Sequence, residues 1–143
     1  MNMKRLVLAS VIGWVTYFIY GGVVFGKMLA PDYRPYTNVY RSMEQMQQHM
    51  AVGMLCSIAA IIVFAVMYAK GYEGGSGAAE GARFGLLIGI FAACTHIADN
   101  YVVLQIGGIL AARMAVASLG EWTLVGLMIG LLYRPRQIKG GVV

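Results

Sequence analysis

The chain has 143 residues, of which 59% are hydrophobic and only 12% are charged, and its formal net charge is +5. A soluble domain carries about 25% charged residues, so this composition excludes an ordinary water-exposed surface over most of the chain. The basic residues stand at the ends of apolar runs and form no stripe, so we predict no nucleic-acid binding and assign them to membrane flanks. We therefore expect an all-α integral membrane four-helix bundle whose main partner is the lipid bilayer.

Four apolar segments approach the ~20 residues that a helix needs to cross a bilayer. They predict spans at about residues 6–26, 50–69, 84–106 and 112–133 of a single domain, 1–143. The first span has the basic start of a signal peptide, but its apolar run is longer than an h-region, so we expect a retained anchor.

The lysines and arginines predict the orientation of these spans. One side holds Lys4, Arg5, Lys70, Arg83, Arg134, Arg136 and Lys139, and the other holds Lys27, Arg34, Arg41 and Arg113. The positive-inside rule then places both termini in the cytoplasm.

Between the spans, the sequence predicts one long outer segment and two shorter connections. The outer segment, 27–49, combines a loop with an extension of the second helix, because Ser42 and Gln45 form a capping-box signature that starts a helix near Met43. The cytoplasmic loop, 70–83, is rich in glycine and is predicted to have no fold of its own. The short outer link around Gly107 and Gly108 makes spans three and four antiparallel neighbours.

Glycines recur every four residues in the third span, at Gly81, Gly85 and Gly89, and shorter versions of the pattern occur in the first and fourth spans. Such ridges of small residues let helix backbones approach closely. They predict a compact bundle, and we expect a homo-oligomer or a larger membrane complex.

A polar run interrupts the third span at Thr95, His96, Asp99 and Asn100. On a regular helix, residues three and four apart share a face, which places this run beside the glycine ridge and toward the bundle interior. Ionisable residues inside a membrane are functional candidates by default.

The fourth span supplies possible partners for the polar run. A turn centred between Gly107 and Gly108 pairs residues whose numbers add up to about 215. It predicts a His96–Glu121 contact near the midplane and an Asp99–Arg113 pair nearer the outer face. The predicted ligand or proton site comprises His96, Asp99, Asn100, Glu121 and Arg113, supported by Thr95, Tyr17, Tyr20 and Ser57. The alternative is that these groups only make hydrogen bonds between helices.

A weaker metal hypothesis rests on the outer end of the second span, where Met46 and Met50 flank His49. Thioether and imidazole ligands suit Cu(I), although methionine is also ordinary core filler. We predict no cofactor, with copper, or haem between His49 and His96, as alternatives. Cys56 and Cys94 are expected to be small buried hydrophobes without a disulfide, and no residue is assigned a catalytic role.

Two stretches, "YGGVVFGK" and "EGARFGLLIGI", resemble a family of short four-span bacterial membrane proteins without assigned function. The likeness rests on glycine-rich helix ends, Phe25-Gly26-Lys27 and Glu80-Gly81-x-Arg83-Phe84-Gly85. The resemblance implies four helices in a bacterial inner membrane, and it brings no catalytic residues.

Three functions remain open from the sequence. The first is binding or transport of a small ligand or ion, coupled to protons, through His96, Asp99 and Glu121. The second is a non-catalytic accessory or structural subunit that packs through its glycine ridges. The third is a membrane-embedded enzyme or a metal-binding redox protein.

Overall fold

The computed structural model describes residues 2–133, and this part of the chain is almost entirely helical, with no strands. The all-α prediction is confirmed. The helices are α1 (Met3–Val23), α2 (Ala30–Tyr33), α3 (Met43–Gly71), α4 (Gly77–Ala92), α5 (Ala98–Val103) and α6 (Gly108–Leu132). A π-helical turn, Val24–Met28, extends α1, and a second one, Ala93–Ile97, joins α4 to α5. Arg134, Arg136 and Lys139, which contribute to the predicted orientation, lie outside the described residues.

Four helical segments are long and apolar enough to cross a membrane. They are Met3–Met28, Met43–Gly71, Gly77–Val103 and Gly108–Leu132. Many large apolar side chains on these segments are exposed, as expected for surfaces that face lipid. We call one end of the bundle the tyrosine-loop end, after residues 29–42, and the opposite end the N-terminal end.

The start of α3 follows the sequence prediction. The Ser42 hydroxyl accepts a hydrogen bond from the Gln45 backbone N–H at 3.3 Å, and the Gln45 side chain accepts one from the Ser42 N–H at 3.2 Å. This reciprocal pair is the capping box, which satisfies two donors that the first turn would leave unpaired. The predicted start of this helix near Met43 is therefore confirmed.

The prediction of an unstructured loop over 70–83 is wrong for most of its length. The helix α3 continues to Gly71 and α4 begins at Gly77, so only residues 72–76 are non-helical. This short link is held by Glu80, whose carboxylate accepts hydrogen bonds from the backbone N–H groups of Glu73, at 3.0 Å, and Gly75. Glycine usually destabilises a helix, but here the close packing of α6 against the glycines of α4 compensates for that cost.

Close packing of α4 against α6 is the main helix contact of the fold. Gly77, Gly81, Gly85 and Gly89 are all buried, and they face α6. A Cβ atom at Gly85 would overlap the carbonyl oxygen of Trp122, and one at Gly81 would overlap that of Gly126. The two backbones therefore touch, which only glycine permits.

Aromatic packing closes the bundle at its N-terminal half. The Phe64 ring stacks on Trp122, with centroids 5.7 Å apart, and meets Phe84 edge-on at 5.0 Å. Leu6, Ala9 and Ile129 complete a core to which α3 contributes buried residues only from Ile61 onward. From Met43 to Ala60, α3 is exposed except at Met54 and Ser57, so its other half stands away from the remaining helices.

The tyrosine loop covers the opposite end of α6. Tyr33 and Tyr40 meet edge-on at 5.0 Å, and the Tyr36 hydroxyl accepts a hydrogen bond from the Gly107 N–H at 2.9 Å. Burial, together with Tyr40 and Asp32, raises the pKa of Tyr33 to about 12. Burial beside Tyr36 also raises the pKa of Tyr40. The loop is thus an ordered cap.

Candidate functional site

The register of α4 against α6 differs from the predicted one. Gly81 faces Gly126, Gly85 faces Trp122 and Gly89 faces Leu119, so the numbers of facing residues add up to about 208 instead of 215. The turn lies earlier than expected because α5 already ends at Val103 and α6 already begins at Gly108, so the non-helical link is 104–107.

This register separates His96 from Glu121. The numbers of His96 and Glu121 add up to 217, which exceeds the sum for facing residues by nine. At 1.5 Å per residue, the two residues are therefore about 13 Å apart along the helix axis. The predicted His96–Glu121 contact is therefore wrong. In the same register, His96 is nearly level with Arg113 and stands near the tyrosine-loop boundary.

The second π-helical turn also changes the direction of the polar run. A π turn holds one residue more than an α turn, and each residue of an α-helix rotates by about 100°. The buried face that the glycines define therefore continues to Ile97, which is 6% exposed. His96 lies outside this face. Thr95, His96 and Asp99 are exposed, and Asn100 is half-buried. The polar run does not point into the bundle.

Arg113 pairs with the tyrosine loop and not with Asp99. Its Nη1 donates to the Asp32 carboxylate at 2.5 Å, and this is the one ion pair within residues 2–133. The predicted Asp99–Arg113 pair is wrong, because the tyrosine loop folds down onto α6 while Asp99 is exposed on another face. One sequence signal could have identified the partner: Asp32 and Glu44 are the only carboxylates in segment 27–49.

Glu121 remains as a buried ionisable group of the membrane interior. Its side chain is 6% exposed, and no described residue forms a hydrogen bond or an ion pair with its carboxyl group. Arg113 stands eight residues earlier on α6, so Glu121 lies about 12 Å below it along the helix axis. Half of a hydrocarbon core is about 15 Å, which places Glu121 close to mid-depth when Arg113 marks the boundary.

Helix α1 supplies the side chains and the space around this carboxyl. Gly21 faces it so closely that a Cβ there would lie 3.3 Å from the Glu121 Oε1 atom. Tyr17 and Tyr20 lie within electrostatic range of Glu121, and the Tyr20 hydroxyl donates to the Ala117 carbonyl at 3.0 Å. The two predicted supporting tyrosines are therefore close to Glu121, one turn apart on α1.

The site lies at a boundary between closed and open halves of the bundle. Toward the N-terminal end, Tyr17 packs on Trp122 at 5.7 Å, and Trp122 continues into the aromatic core. Toward the tyrosine-loop end, α3 turns away from the bundle. On that side Ser57 accepts a hydrogen bond from Trp14 Nε1–H at 2.9 Å, and before Ser57 only Met54 is partly covered. Ser57 therefore links α1 to α3.

The metal hypothesis gains no geometric support. His49, Met46 and Met50 are exposed on the free part of α3, and His49 Nδ1 lies 2.8 Å from the carbonyl oxygen of Gln45. Residues 2–133 contain no group of three or more His, Cys, Asp or Glu side chains that could hold a metal ion. The expectation that both cysteines are buried is wrong. Cys56 and Cys94 are exposed, on helix faces that other helices do not cover.

A buried carboxyl without a counter-charge has limited chemical options. Insertion scales put the cost of a single charge at the bilayer centre at about 2.5 kcal/mol or more, so the group favours a bound proton or a bound cation. The phenol groups of Tyr17 and Tyr20 beside the carboxyl can donate or accept hydrogen bonds. The arrangement can hold and release a proton.

Comparison with protein-family profiles, curated proteins and solved structures finds no match to this chain.

Proposed function

We propose that this chain is a small integral membrane protein that binds a proton at Glu121 and couples it to the binding or passage of a small ion or ligand. The observation that carries the proposal is the position of Glu121, 6% exposed near mid-depth and without an ionic partner in residues 2–133. Natural membrane helices place unpaired carboxyls at such depth rarely, and mainly along proton or ion pathways. His96 and Asp99 lie outside this site and have no part in the proposal.

The asymmetry of the bundle supports a route to Glu121 from one side. The aromatic core around Phe64 and Trp122 fills the space toward the N-terminal end. Toward the tyrosine-loop end, α3 is exposed at every position from Met43 to Gly53 and so covers the other helices little there. A proton or ligand would enter from the tyrosine-loop side, and release to the other side would require movement of the aromatic core.

The test is a proton flux measurement in proteoliposomes that contain a trapped pH-sensitive dye. A potassium gradient with valinomycin sets a membrane potential, and the wild-type protein is expected to pass protons. Glu121→Gln keeps the shape of the side chain and removes its titration, so the flux should fall to that of empty vesicles. Glu44→Gln is the matched control, because Glu44 is exposed in the first turn of α3. Equal fluxes in the wild type and Glu121→Gln would overturn the proposal.

We further propose that both termini face the cytoplasm of a bacterial inner membrane, in line with the distribution of lysine and arginine. A cysteine introduced at Asn38 should then react with an impermeant reagent added to intact cells. A cysteine at Ser76 should react only after permeabilisation. The opposite pattern would invert the orientation.

An accessory subunit or homo-oligomer is the second candidate, and the free part of α3 favours it. Most large apolar side chains between Met43 and Ala60 are exposed, and Val52 and Leu55 are more than 60% exposed. In a membrane this surface meets either lipid or another chain. The mass of the detergent-solubilised complex, measured by native mass spectrometry, distinguishes a monomer from an assembly.

A further inference from the structure

A groove runs along the seam between α1 and α6, on the side that faces the membrane. Its upper part, toward the tyrosine-loop end, has a volume of about 460 Å³. One wall is formed by Val24 and Met28 of the first π-helical turn, and the other by Ala112 and Val116 of α6. Arg113 stands in its wall. The Arg113 side chain is 57% exposed, and only one of its nitrogens is engaged by Asp32. A guanidinium group has five N–H donors, so several remain for a second acceptor.

The groove continues toward the middle of the membrane. A lower part of about 380 Å³ passes Tyr20 and reaches Thr16 and Leu124. Leu124 is eleven residues from Arg113 on the same helix, so the groove extends about 16 Å below the guanidinium group. Half of the ~30 Å hydrocarbon core is about as long, which is the reach of the acyl chain of one leaflet. Apart from Tyr20 and Thr16, the side chains of the lower part are apolar.

The lining of the groove favours an acyl chain as its occupant. Ile19, Val23 and Leu124 present hydrocarbon along its lower part, and the groove is open along its length toward the membrane. Lipid chains are the solvent of such a surface in a bilayer.

The charge at the upper end selects among lipids. Arg113 lines the groove together with Met28, and the neighbouring Lys27 is exposed on the π-helical turn. Asp32 pairs with Arg113, and within residues 2–133 no acidic group pairs with Lys27. The end of the groove therefore keeps a positive charge at the height of the headgroups. Arginine binds phosphate and carboxylate oxygens through two parallel hydrogen bonds.

From these observations we propose that the α1–α6 groove binds an anionic lipid, whose acyl chain follows the seam and whose acidic headgroup is held by Arg113. Glu121 does not line this groove, although Tyr20 borders both sites, and the proposal does not depend on the proposed proton binding.

The test is lipid retention in native mass spectrometry. The purified protein is incubated with equal amounts of phosphatidylglycerol and phosphatidylcholine that carry identical chains. The wild type should retain phosphatidylglycerol preferentially. Arg113→Gln should lower that preference about fivefold to tenfold, because it removes charge-assisted hydrogen bonds.

Matched variants separate lipid binding from damage to the tyrosine loop. Asp32→Asn breaks the same ion pair but keeps the cation, so the preference should stay the same or rise. Ala112→Phe fills the upper groove and should lower retention of both lipids, whereas Val102→Phe, on an 81% exposed position of α5, should not. Equal retention of both lipids by the wild type would overturn the proposal. So would an Asp32→Asn variant that behaves like Arg113→Gln, or an Ala112→Phe variant that loses a dimer instead of lipid.

Discussion

Replacing Gly85 with alanine tests the packing of α4 on α6, on which the whole register depends. The new Cβ would overlap the Trp122 carbonyl oxygen and lie 2.9 Å from the Cα of Thr123. Both are backbone atoms, so no side-chain rotation relieves the overlap, and the helices must separate by about 1 Å. Overpacking of this kind costs about 1–3 kcal/mol, and it outweighs the gain of up to about 1 kcal/mol from replacing glycine in a helix.

Other glycines of the chain provide a graded series of controls. A Cβ at Gly53 has no neighbour within 4 Å, so Gly53→Ala should be neutral or slightly stabilising. A Cβ at Gly89 would lie 3.1 Å from the Leu119 Cα, so Gly89→Ala should be intermediate. At Gly13 the nearest atoms belong to the flexible Ile129 side chain, at 2.9 Å, which can move.

The assay is reversible unfolding in mixed micelles by increasing fractions of a denaturing detergent, followed by circular dichroism. Both variants gain the same helix preference, so we expect the unfolding free energy of Gly85→Ala to lie below that of Gly53→Ala by the overpacking cost, about 1–3 kcal/mol. If the two variants unfold at the same detergent fraction, the two backbones do not touch at Gly85 and the register is wrong.

Three further predictions concern the tyrosine loop. Tyr36→Phe leaves the Gly107 N–H without its acceptor and should cost about 1 kcal/mol in the same unfolding assay; no change would mean that the bond does not hold the loop. Asp32→Asn should speed tryptic cleavage within the loop, whereas Asp99→Asn, which removes no ion pair, should leave cleavage unchanged; equal effects would contradict the assigned pairing. Because the pKa of Tyr33 is raised to about 12 from about 10, its contribution to loop docking is complete below pH 10 and is lost as the pH rises toward 12. An absorbance titration should therefore show a late tyrosine step that Tyr33→Phe removes, and a step that persists in the variant would assign it to another residue.

Features that depend on local sequence could be predicted. The capping box at Ser42 needs only residues three apart, and the antiparallel pairing of the last two spans follows from the short link between them. The glycine ridge correctly identified the face of α4 that α6 covers. These signals are local, and tertiary packing agrees with them.

The errors arose at two irregularities of the backbone, each of which changed the positions of the residues that follow it. A face assigned at intervals of three and four residues assumes a regular α-helix, and the π-helical turn at 93–97 shifts His96 off that face. The start of α6 at Gly108 moved the pairing by several residues and separated His96 from Glu121. The sequence pattern contains no clear signal for either irregularity. Glu121 lies inside an apolar helix, as expected, because its position depends only on its own helix.

The central claim is that Glu121 holds a proton at neutral pH within the membrane, and infrared spectroscopy of the protein in lipid bilayers tests it directly. The carbonyl stretch of a protonated carboxyl group is resolved from the bands of carboxylates, so wild-type and Glu121→Gln spectra can be subtracted from each other. The account predicts a protonated-carboxyl band at neutral pH in the wild type that is absent in Glu121→Gln and that shifts in heavy water. A wild-type spectrum without that band, with a carboxylate band lost in the variant instead, would show that Glu121 is ionised and would contradict the account.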